Sequence, residues 1–496
     1  MSDAGYLALD LGAESGRGVV GTISDGVLAL REVHRFLNPT ARMLGRLHWN
    51  LPGQWEEVKT AVRKAAGAGG GEVASIGVDT WGVDFGLLNR DGDLLSNPVH
   101  YRDRRTDGIM PRAFAIVARE RIFQRTGVQM MVLNTLFQLL ALRETQPKLL
   151  ESAGTLLMIP DLFNYLFTGE KRSELSIAST TQMLDPRTRT WALDLLNEFS
   201  LPTDLFAPIV PPGTRIGMLA KDVAEECGAP AIAVIAPAAH DTASAVAAAP
   251  LDRPREDWCY ISSGTWSLMG AELPAPLINP RAMEFNFSNE IGIGGTIRLL
   301  KNIMGLWLVQ ECRRFWGREG REYSYGELTA MAAAAKPFTC LLNPGHAPFL
   351  APGDMPNKIA RFCQQGGQPA PADPAQTVRA CLESLALTYR KTLEELEALL
   401  GRRLEVIHIL GGGAQNELLN QMTADACARP VVAGPVEATA IGNVLVQAIA
   451  MGQVASIEAG RRMVRASFAV KTYQPRETKP WDGAYARYRD VLKERG

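Results

Sequence analysis

Short apolar runs bounded by glycine open the chain. YLALDLG (6–12), GRGVVGTI (16–23) and DGVLALREVHRF (25–36) have the length and composition of strands. QWEEVKTAVRKAAG (54–67) instead spaces its apolar residues as an amphipathic helix does, and EVASIGVDT (72–80) returns as a buried strand. The pattern therefore predicts the element order βββαβ.

A comparable arrangement restarts near residue 258. DWCYISSGTWSLMGAEL (257–273) predicts two strands around a Ser-Ser-Gly-Thr turn. A helical spacing of apolar residues runs from 375 to 400 and stops at Gly401, and the strand LEVIHIL then leads through GGGAQN (411–416) into another helix. The second half therefore offers its own glycine-rich turn for a phosphate or nucleotide.

A connector separates the two halves. In AAAPLDRPRED (247–257), Pro250 and Pro254 interrupt an alanine-rich helical run, which is typical of a linker. A chain of 496 residues also exceeds what one hydrophobic core usually organises. We therefore expect two domains, residues 1–248 and 249–496, with the boundary near 248–256.

Composition narrows the class of partner. Lys and Arg total 52 against 53 Asp and Glu, so the net charge is −1 and does not attract nucleic acid or an anionic membrane surface. The N-terminus lacks a basic stretch before a long apolar run, and no apolar stretch approaches eighteen residues. We expect a cytoplasmic enzyme with a small-molecule partner.

Seven scattered cysteines lack the spacing of a zinc site. Reduced thiols are the expectation. The alternative for one pair is a disulfide between Cys363 and Cys381, which bracket the Gly/Pro-rich segment GGQPAPADP.

Two small polar turns are candidates for phosphate contacts. Asp10 ends an apolar strand before LGAESGR, where a carboxylate can hold hydrated Mg²⁺ or simply form a turn. Ser262–Thr265 supplies hydroxyls and amides, and fits an ordinary β-turn equally well. Neither the P-loop nor the dinucleotide fingerprint occurs, which leaves a two-sided clamp as the candidate nucleotide site.

His240, Asp241 and Thr242 follow the apolar strand AIAVIAPAA and precede a helical run. Working groups of α/β enzymes often lie at such strand ends. Asp241 fits a catalytic base and a helix N-cap about equally, and the two roles are compatible.

Six motifs occur in order between residues 6 and 450: LALDLGAESGR, VDTWGVDF, AAHDTASAV, YISSGTWSLMG, KNIMGLWLVQ and LGGGAQNELLN. In this order they resemble the FGGY family of carbohydrate kinases, most closely its L-rhamnulokinase group. VDTWGVDF and KNIMGLW distinguish that group from the glycerol and xylulose kinases.

The resemblance implies an α/β actin-like ATPase fold, with two ribonuclease-H-like domains and a central cleft. Residues 1–248 would form the sugar and phosphate side, and residues 249–496 the nucleotide side. It further implies that ATP, with Mg²⁺ as cofactor, phosphorylates L-rhamnulose to L-rhamnulose 1-phosphate in L-rhamnose catabolism.

The resemblance also assigns roles to individual residues. Asp241 would accept the hydroxyl proton, and Asp10 would position Mg²⁺ through water. Glu14 stands where many FGGY kinases have Ser or Thr, so contact there is expected from backbone amides. The implied ATP-binding residues are Ala13, Glu14, Ser15, Gly16, Arg17, Thr265, Gln310 and Gly412. The implied sugar-binding residues are Gly82, His240, Asp241, Thr242 and Asn302.

Two rival functions stay open at this point. One is a kinase for another ketose, such as L-fuculose, because a few pocket contacts decide which orientation of a sugar hydroxyl the enzyme recognises. The other is an ATP-switched binding protein of the actin or chaperone type, which shares the fold. The His-Asp-Thr triplet and VDTWGVDF favour a sugar pocket, and the chain is expected to be a monomer or homodimer.

Overall fold

The computed structural model describes residues 5–67, 73–252 and 256–493. The strands are β1 Gly5–Leu11, β2 Ser15–Ser24, β3 Val27–Leu37, β4 Thr40–Met43, β5 Arg46–Trp49, β6 Val73–Thr80, β7 Phe85–Leu88, β8 Thr155–Met158, β9 Ser173–Glu174, β10 Leu184–Asp185, β11 Thr190–Trp191, β12 Ile209–Val210, β13 Thr214–Met218, β14 Ala233–Ala236, β15 Trp258–Ser263, β16 Trp266–Leu273, β17 Ser288–Ile291, β18 Ile297–Met304, β19 Val406–Leu410, β20 Val431–Ala433 and β21 Lys471–Tyr473.

The helices lie singly or in groups between these strands. They are α1 Leu51–Ala66, α2 Ile109–Ile116, α3 Arg119–Thr126, α4 Thr135–Thr145, α5 Pro147–Glu151, α6 Ile159–Thr168, α7 Leu175–Ala178, α8 Leu193–Glu198, α9 Lys221–Cys227, α10 Asp241–Ala247, α11 Pro280–Glu284, α12 Trp307–Arg318, α13 Tyr325–Ala334, α14 Ala347–Leu350, α15 Met355–Gln365, α16 Pro374–Leu400, α17 Glu417–Cys427, α18 Ala438–Ala450, α19 Ile457–Ser467 and α20 Lys479–Lys493.

The chain forms two compact units that are interleaved in sequence. The first takes Met1–Pro254, Glu272–Leu300 and Glu437–Phe468, and the second takes Arg255–Ala271, Lys301–Val436 and Ala469–Gly496. Residues 253–255 of the expected linker lie outside the described residues. The division into 1–248 and 249–496 therefore stays a prediction from sequence.

A six-stranded sheet with the order β13-β14-β6-β1-β2-β3 organises the first unit. Strands β1, β2 and β3 form the predicted antiparallel meander, while β6 pairs with β1 and with β14 in parallel. The predicted order βββαβ is confirmed, with one addition. The hairpin of β4 and β5 precedes α1, and its short polar strands gave no apolar run to predict it from.

Helix α18 packs against the parallel strands of this sheet. Gln447 donates to the Leu7 carbonyl and accepts from the Ser75 hydroxyl, so its amide joins β1 to β6. The helix also crosses α10 closely, because a Cβ on Gly442 would lie 1.8 Å from the Ser244 carbonyl oxygen. These contacts fix the two strands and the helix that carry the candidate site.

The second unit is built around β15, which pairs with β16 in an antiparallel hairpin and with β19 in parallel. β20 pairs in parallel with β19 and carries β21 on its other edge. The long helix α16 ends as predicted, since Gly401 has a φ of 64° that suits glycine. Helix α16 buries apolar side chains along its length, from Val378 to Leu396.

All seven cysteines are buried thiols, so the alternative disulfide between Cys363 and Cys381 is wrong for this structure. Within the described ranges, no helix has both the length and the apolar character that a membrane crossing requires.

Candidate active site

The candidate site lies where the parallel strands of the first unit end. Asp10 and Asp79 are opposite each other near the ends of β1 and β6. The chain that leaves β14 runs alongside, because the Thr80 amide donates to the Ala239 carbonyl at 2.9 Å and Thr80 bridges to His240. Carboxyl ends of parallel strands share one sheet edge, so this topology collects Asp10, Asp79 and Asp241 there.

Asp241 is the first residue of α10, and His240 is the N-cap. The alternative that Asp241 is itself the N-cap is therefore wrong. Its Oδ1 accepts from the Thr242 amide at 2.5 Å and from the Thr242 hydroxyl at 3.2 Å. Burial raises the pKa of Asp241, and although His240 and Thr242 oppose this, the Asp10 charge adds to the rise. The side chain still keeps 33% of its surface exposed, as a base that meets substrate requires.

Asp10 is held by a bidentate partner on the neighbouring strand. Arg17 is its cross-strand neighbour and donates Nε–H and Nη2–H to Oδ2 at 3.0 and 2.8 Å. Arg17 also pairs with Glu437, the N-cap residue of α18. Asp10 and Glu437 thus orient the guanidinium of Arg17, one of the residues that the family resemblance assigns to ATP binding.

Asp79 is the most buried carboxyl of the site. Its Oδ2 accepts from Asn443 Nδ2 at 2.6 Å, whereas Oδ1 has no hydrogen-bond partner. Burial, together with the nearby Asp10 charge, raises the pKa of Asp79 well above its ordinary value. The same burial makes the charged form of this carboxyl costly.

The turn of residues 12–15 is tight and externally braced. The Gly12 amide donates to the Ser15 carbonyl at 2.9 Å. Asn38 donates to the Gly12 carbonyl through its side-chain Nδ2 and to the Glu14 carbonyl through its backbone amide. The Glu14 side chain is exposed. A Cβ on Gly16 would lie 2.3 Å from the Phe36 ring, so glycine is required for this close approach.

These residues fit a hydrated Mg²⁺ better than a directly ligated ion. Among the described residues, no group of three or more His, Cys, Asp or Glu side chains can hold a metal. Asp10 offers one carboxylate, already shared with Arg17, and Asp79 contributes an unpartnered buried oxygen. Mg²⁺ keeps several waters and is often bound by one or two carboxylates, so Asp10 would hold it through water.

Gly82, from VDTWGVDF, lies against the His240 ring. A Cβ at Gly82 would be 3.4 Å from His240 Nε2 and 3.3 Å from Thr180 Oγ1. Two residues on, buried Asp84 accepts from the indoles of Trp49 and Trp81 at 2.6 and 3.1 Å. The loop therefore brings a glycine backbone against the His240 ring, on the side of the site where sugar binding is expected.

The expected nucleotide residues of the second unit lie on adjoining segments. The Leu306 amide donates to the Gly264 carbonyl at 3.0 Å, so the start of α12, which carries Gln310, is bonded to the Ser262–Thr265 turn. Gln310 Oε1 is buried without a hydrogen-bond partner.

The glycine-rich turn that contains Gly412 adjoins the same hairpin. A Cβ on Gly413 would lie 2.0 Å from Ser263 Oγ. Thr265, Gln310 and Gly412 thus belong to one region of the second unit. Asn302 lies in the same unit, on β18, whose C-terminal end leads directly into the Gly305 and Leu306 amides that bond the Ser262–Thr265 turn.

Sequence reasoning missed two charged residues beside the triplet, Glu290 and Arg298. They are direct cross-strand partners in the hairpin of β17 and β18, and both contact His240. The available signal was the glycine-rich GIGG turn, since a hairpin folded around it places these two charges opposite each other. Asp79 was missed as well, although it ends an apolar strand as Asp10 does.

Comparison with known proteins decides the family. Residues 5–248 match the N-terminal domain of the FGGY family of carbohydrate kinases, and residues 259–451 match its C-terminal domain. The chain belongs to the FGGY family of carbohydrate kinases. It is therefore a sugar kinase, which excludes the rival of an ATP-switched binding protein.

Several relatives match this FGGY kinase over nearly its whole length. A rhamnulokinase of Bacteroides thetaiotaomicron is 44% identical over 98% of this chain and 99% of its own length. A rhamnulokinase of Pectobacterium carotovorum is 41% identical over 98% and 96%. A third, from Bacillus subtilis, is 38% identical over 95% and 96%.

Solved structures confirm the expected fold class. A gluconate kinase from Lactobacillus acidophilus aligns with a TM-score of 0.81 at 17% identity, covering 99% of this chain and 98% of its own. Plasmodium falciparum glycerol kinase with ADP aligns with a TM-score of 0.75 at 14% identity, covering 99% and 98%. The FGGY kinase thus has the two-domain, actin-like ATPase fold that its motifs implied.

Proposed function

We propose that this FGGY kinase transfers the γ-phosphoryl group of ATP to the primary hydroxyl of L-rhamnulose, forming L-rhamnulose 1-phosphate and ADP in L-rhamnose catabolism. The choice of sugar is carried by one observation, the match to several rhamnulokinases at 38–44% identity over nearly the whole chain. We further propose the cytoplasm as its compartment.

Asp241 is the proposed base. One of its carboxylate oxygens takes the hydroxyl proton as the sugar oxygen bonds to the γ-phosphorus, and the bond from that phosphorus to the β,γ-bridging oxygen breaks to release ADP. Its raised pKa and partial exposure suit a carboxylate that takes a proton from a hydroxyl reaching the sheet edge.

Phosphoryl transfer otherwise requires alignment and charge neutralisation. The backbone of residues 13–16 and the Arg17 guanidinium are proposed to bind phosphate oxygens, and Thr265, Gln310 and Gly412 are proposed to contact ATP. Mg²⁺, held through water at Asp10, would neutralise charge on the β- and γ-phosphates. Gly82, His240, Thr242 and Asn302 are proposed to contact the sugar.

ADP release, measured with a coupled assay on L-rhamnulose, L-fuculose, D-xylulose, L-ribulose and glycerol, tests the proposal. We expect kcat/KM for L-rhamnulose to exceed that of each other sugar by at least about tenfold, the scale of a few pocket contacts. A higher kcat/KM for L-fuculose would assign the enzyme to that ketose instead.

A further inference from the structure

The two ring nitrogens of His240 contact different groups inside the first unit. Nε2 lies 3.3 Å from Asp241 Oδ1. On the opposite edge of the ring, Nδ1 lies 3.1 Å from Arg298 Nη2 and 3.4 Å from Glu290 Oε2. His240 therefore lies directly between the proposed base and a buried ion pair.

The contact with Arg298 determines where the ring proton must be. A guanidinium only donates hydrogen bonds, so Nδ1 has to accept from Arg298 Nη2 and cannot carry a proton itself. The proton is then on Nε2, where it faces the Asp241 carboxylate. Nδ1 lies closer to Arg298 Nη2, at 3.1 Å, than to Glu290 Oε2, at 3.4 Å. This difference favours the same tautomer, because a hydrogen on Nδ1 would face the N–H groups of the guanidinium.

With this tautomer, three donors converge on one oxygen of Asp241. Oδ1 accepts from His240 Nε2 and from the amide and hydroxyl of Thr242. None of these contacts involves Oδ2. Because Oδ1 is saturated in this way, Oδ2 is the oxygen available to receive a proton from the sugar hydroxyl.

Arg298 is rigidly held for this task. It is fully buried, its Nη2 also pairs with Glu290 Oε2 at 3.1 Å, and its Nε donates to the Ile291 carbonyl at 3.2 Å. Ser288 donates to the second oxygen of Glu290.

The cost of this arrangement also argues for a role beyond packing. Arg298 Nη1 is buried without a hydrogen-bond partner, and burying such a donor costs free energy. The backbone of the triplet does not need Arg298, because the His240 amide donates to Ser176 Oγ and the Ala239 amide donates to Glu174 Oε2. What Arg298 adds is the orientation and tautomer of the His240 ring.

We propose that Arg298, held by Glu290, is a positioning residue that fixes the Nε2–H tautomer of His240, so that Asp241 presents Oδ2 as the proton acceptor. The inference rests on the proposed role of Asp241 and adds to it the oxygen that reacts and the residues that select it. It holds for whichever ketose is the substrate.

The tautomer is measured directly on the wild-type enzyme. Two-bond proton–nitrogen correlation spectra of protein labelled with ¹⁵N-histidine distinguish the two ring nitrogens, and the chain has only six histidines. The His240 signals are assigned by their loss in His240→Ala. We expect a protonated Nε2 and a bare Nδ1, and a proton on Nδ1 would overturn the proposal even if no Arg298 variant folds.

Kinetics test the consequence for catalysis. Arg298→Met should lower kcat by roughly 10- to 100-fold through misorientation of the base, with KM for the ketose changed less than about threefold. Arg189→Met is the matched control, because Arg189 bonds the Gly295 carbonyl at the tip of the same hairpin and should leave kcat unchanged. A folded Arg298→Met enzyme with wild-type kcat would refute the proposal.

A double-mutant comparison separates positioning from a purely structural effect. In a His240→Ala background, Arg298→Met should change kcat less than about twofold, since the ring through which it acts is gone. An undiminished loss in that background contradicts the proposal. If instead Asp241→Asn retains wild-type turnover, the proposed base is wrong, and that outcome is separate from any result at Arg298.

Discussion

At the scale of single residues, Asp241 is the proposed base of the reaction. Asp241→Asn keeps the shape of the side chain but removes the proton acceptor, so we expect kcat to fall by about 10²–10⁴ with little change in KM. Steady-state kinetics with L-rhamnulose measure this, with Asp204→Asn as an exposed control in the same unit that should retain wild-type kcat. Normal turnover by a folded Asp241→Asn enzyme would contradict the assignment.

The pH dependence of the reaction tests the environment of the same carboxyl. Because burial and Asp10 raise the pKa of Asp241, the ionised base is lost at a higher pH than for an ordinary aspartate. At saturating Mg·ATP, kcat/KM for the sugar should therefore fall reversibly on acidification, with a midpoint above the ordinary value of about 3.9. A profile that stays flat down to about pH 4 would show that no such carboxyl controls the reaction.

At the scale of elements, the site depends on the close crossing of α10 and α18. Gly442→Ala would place a methyl group 1.8 Å from the Ser244 carbonyl oxygen, and we expect it to lower the free energy of unfolding by roughly 1–3 kcal/mol. Gly483→Ala is the control, since that exposed position of α20 has open space and should gain up to about 1 kcal/mol. Urea unfolding measures both changes.

Elements with a strong local pattern were predictable. The β1–β3 meander and the helix ending at Gly401 follow from apolar spacing and glycine, and the structure contains both. The pairing of Glu290 with His240 was not predictable in this way. It joins residues 50 positions apart through burial of charge, which periodicity does not encode, and the polar β4–β5 hairpin lacked an apolar signal altogether.

At the scale of the whole molecule, the order of the motifs carried information that no single motif had. Asp10 or the Ser262–Thr265 turn alone fits an ordinary turn, yet six motifs in sequence indicated the family that both domain matches confirm. The interleaving of the two compact units was not predictable, because residues 272–300 and 437–468 join the first unit through tertiary packing.

The most direct test of the account is the stoichiometry of the complete reaction, followed by ³¹P NMR with ATP, Mg²⁺ and L-rhamnulose. We expect one sugar 1-phosphate to appear for each ADP formed, and negligible ADP when the sugar is omitted. ADP that forms at the same rate without sugar, or without any phosphorylated sugar, would contradict the account.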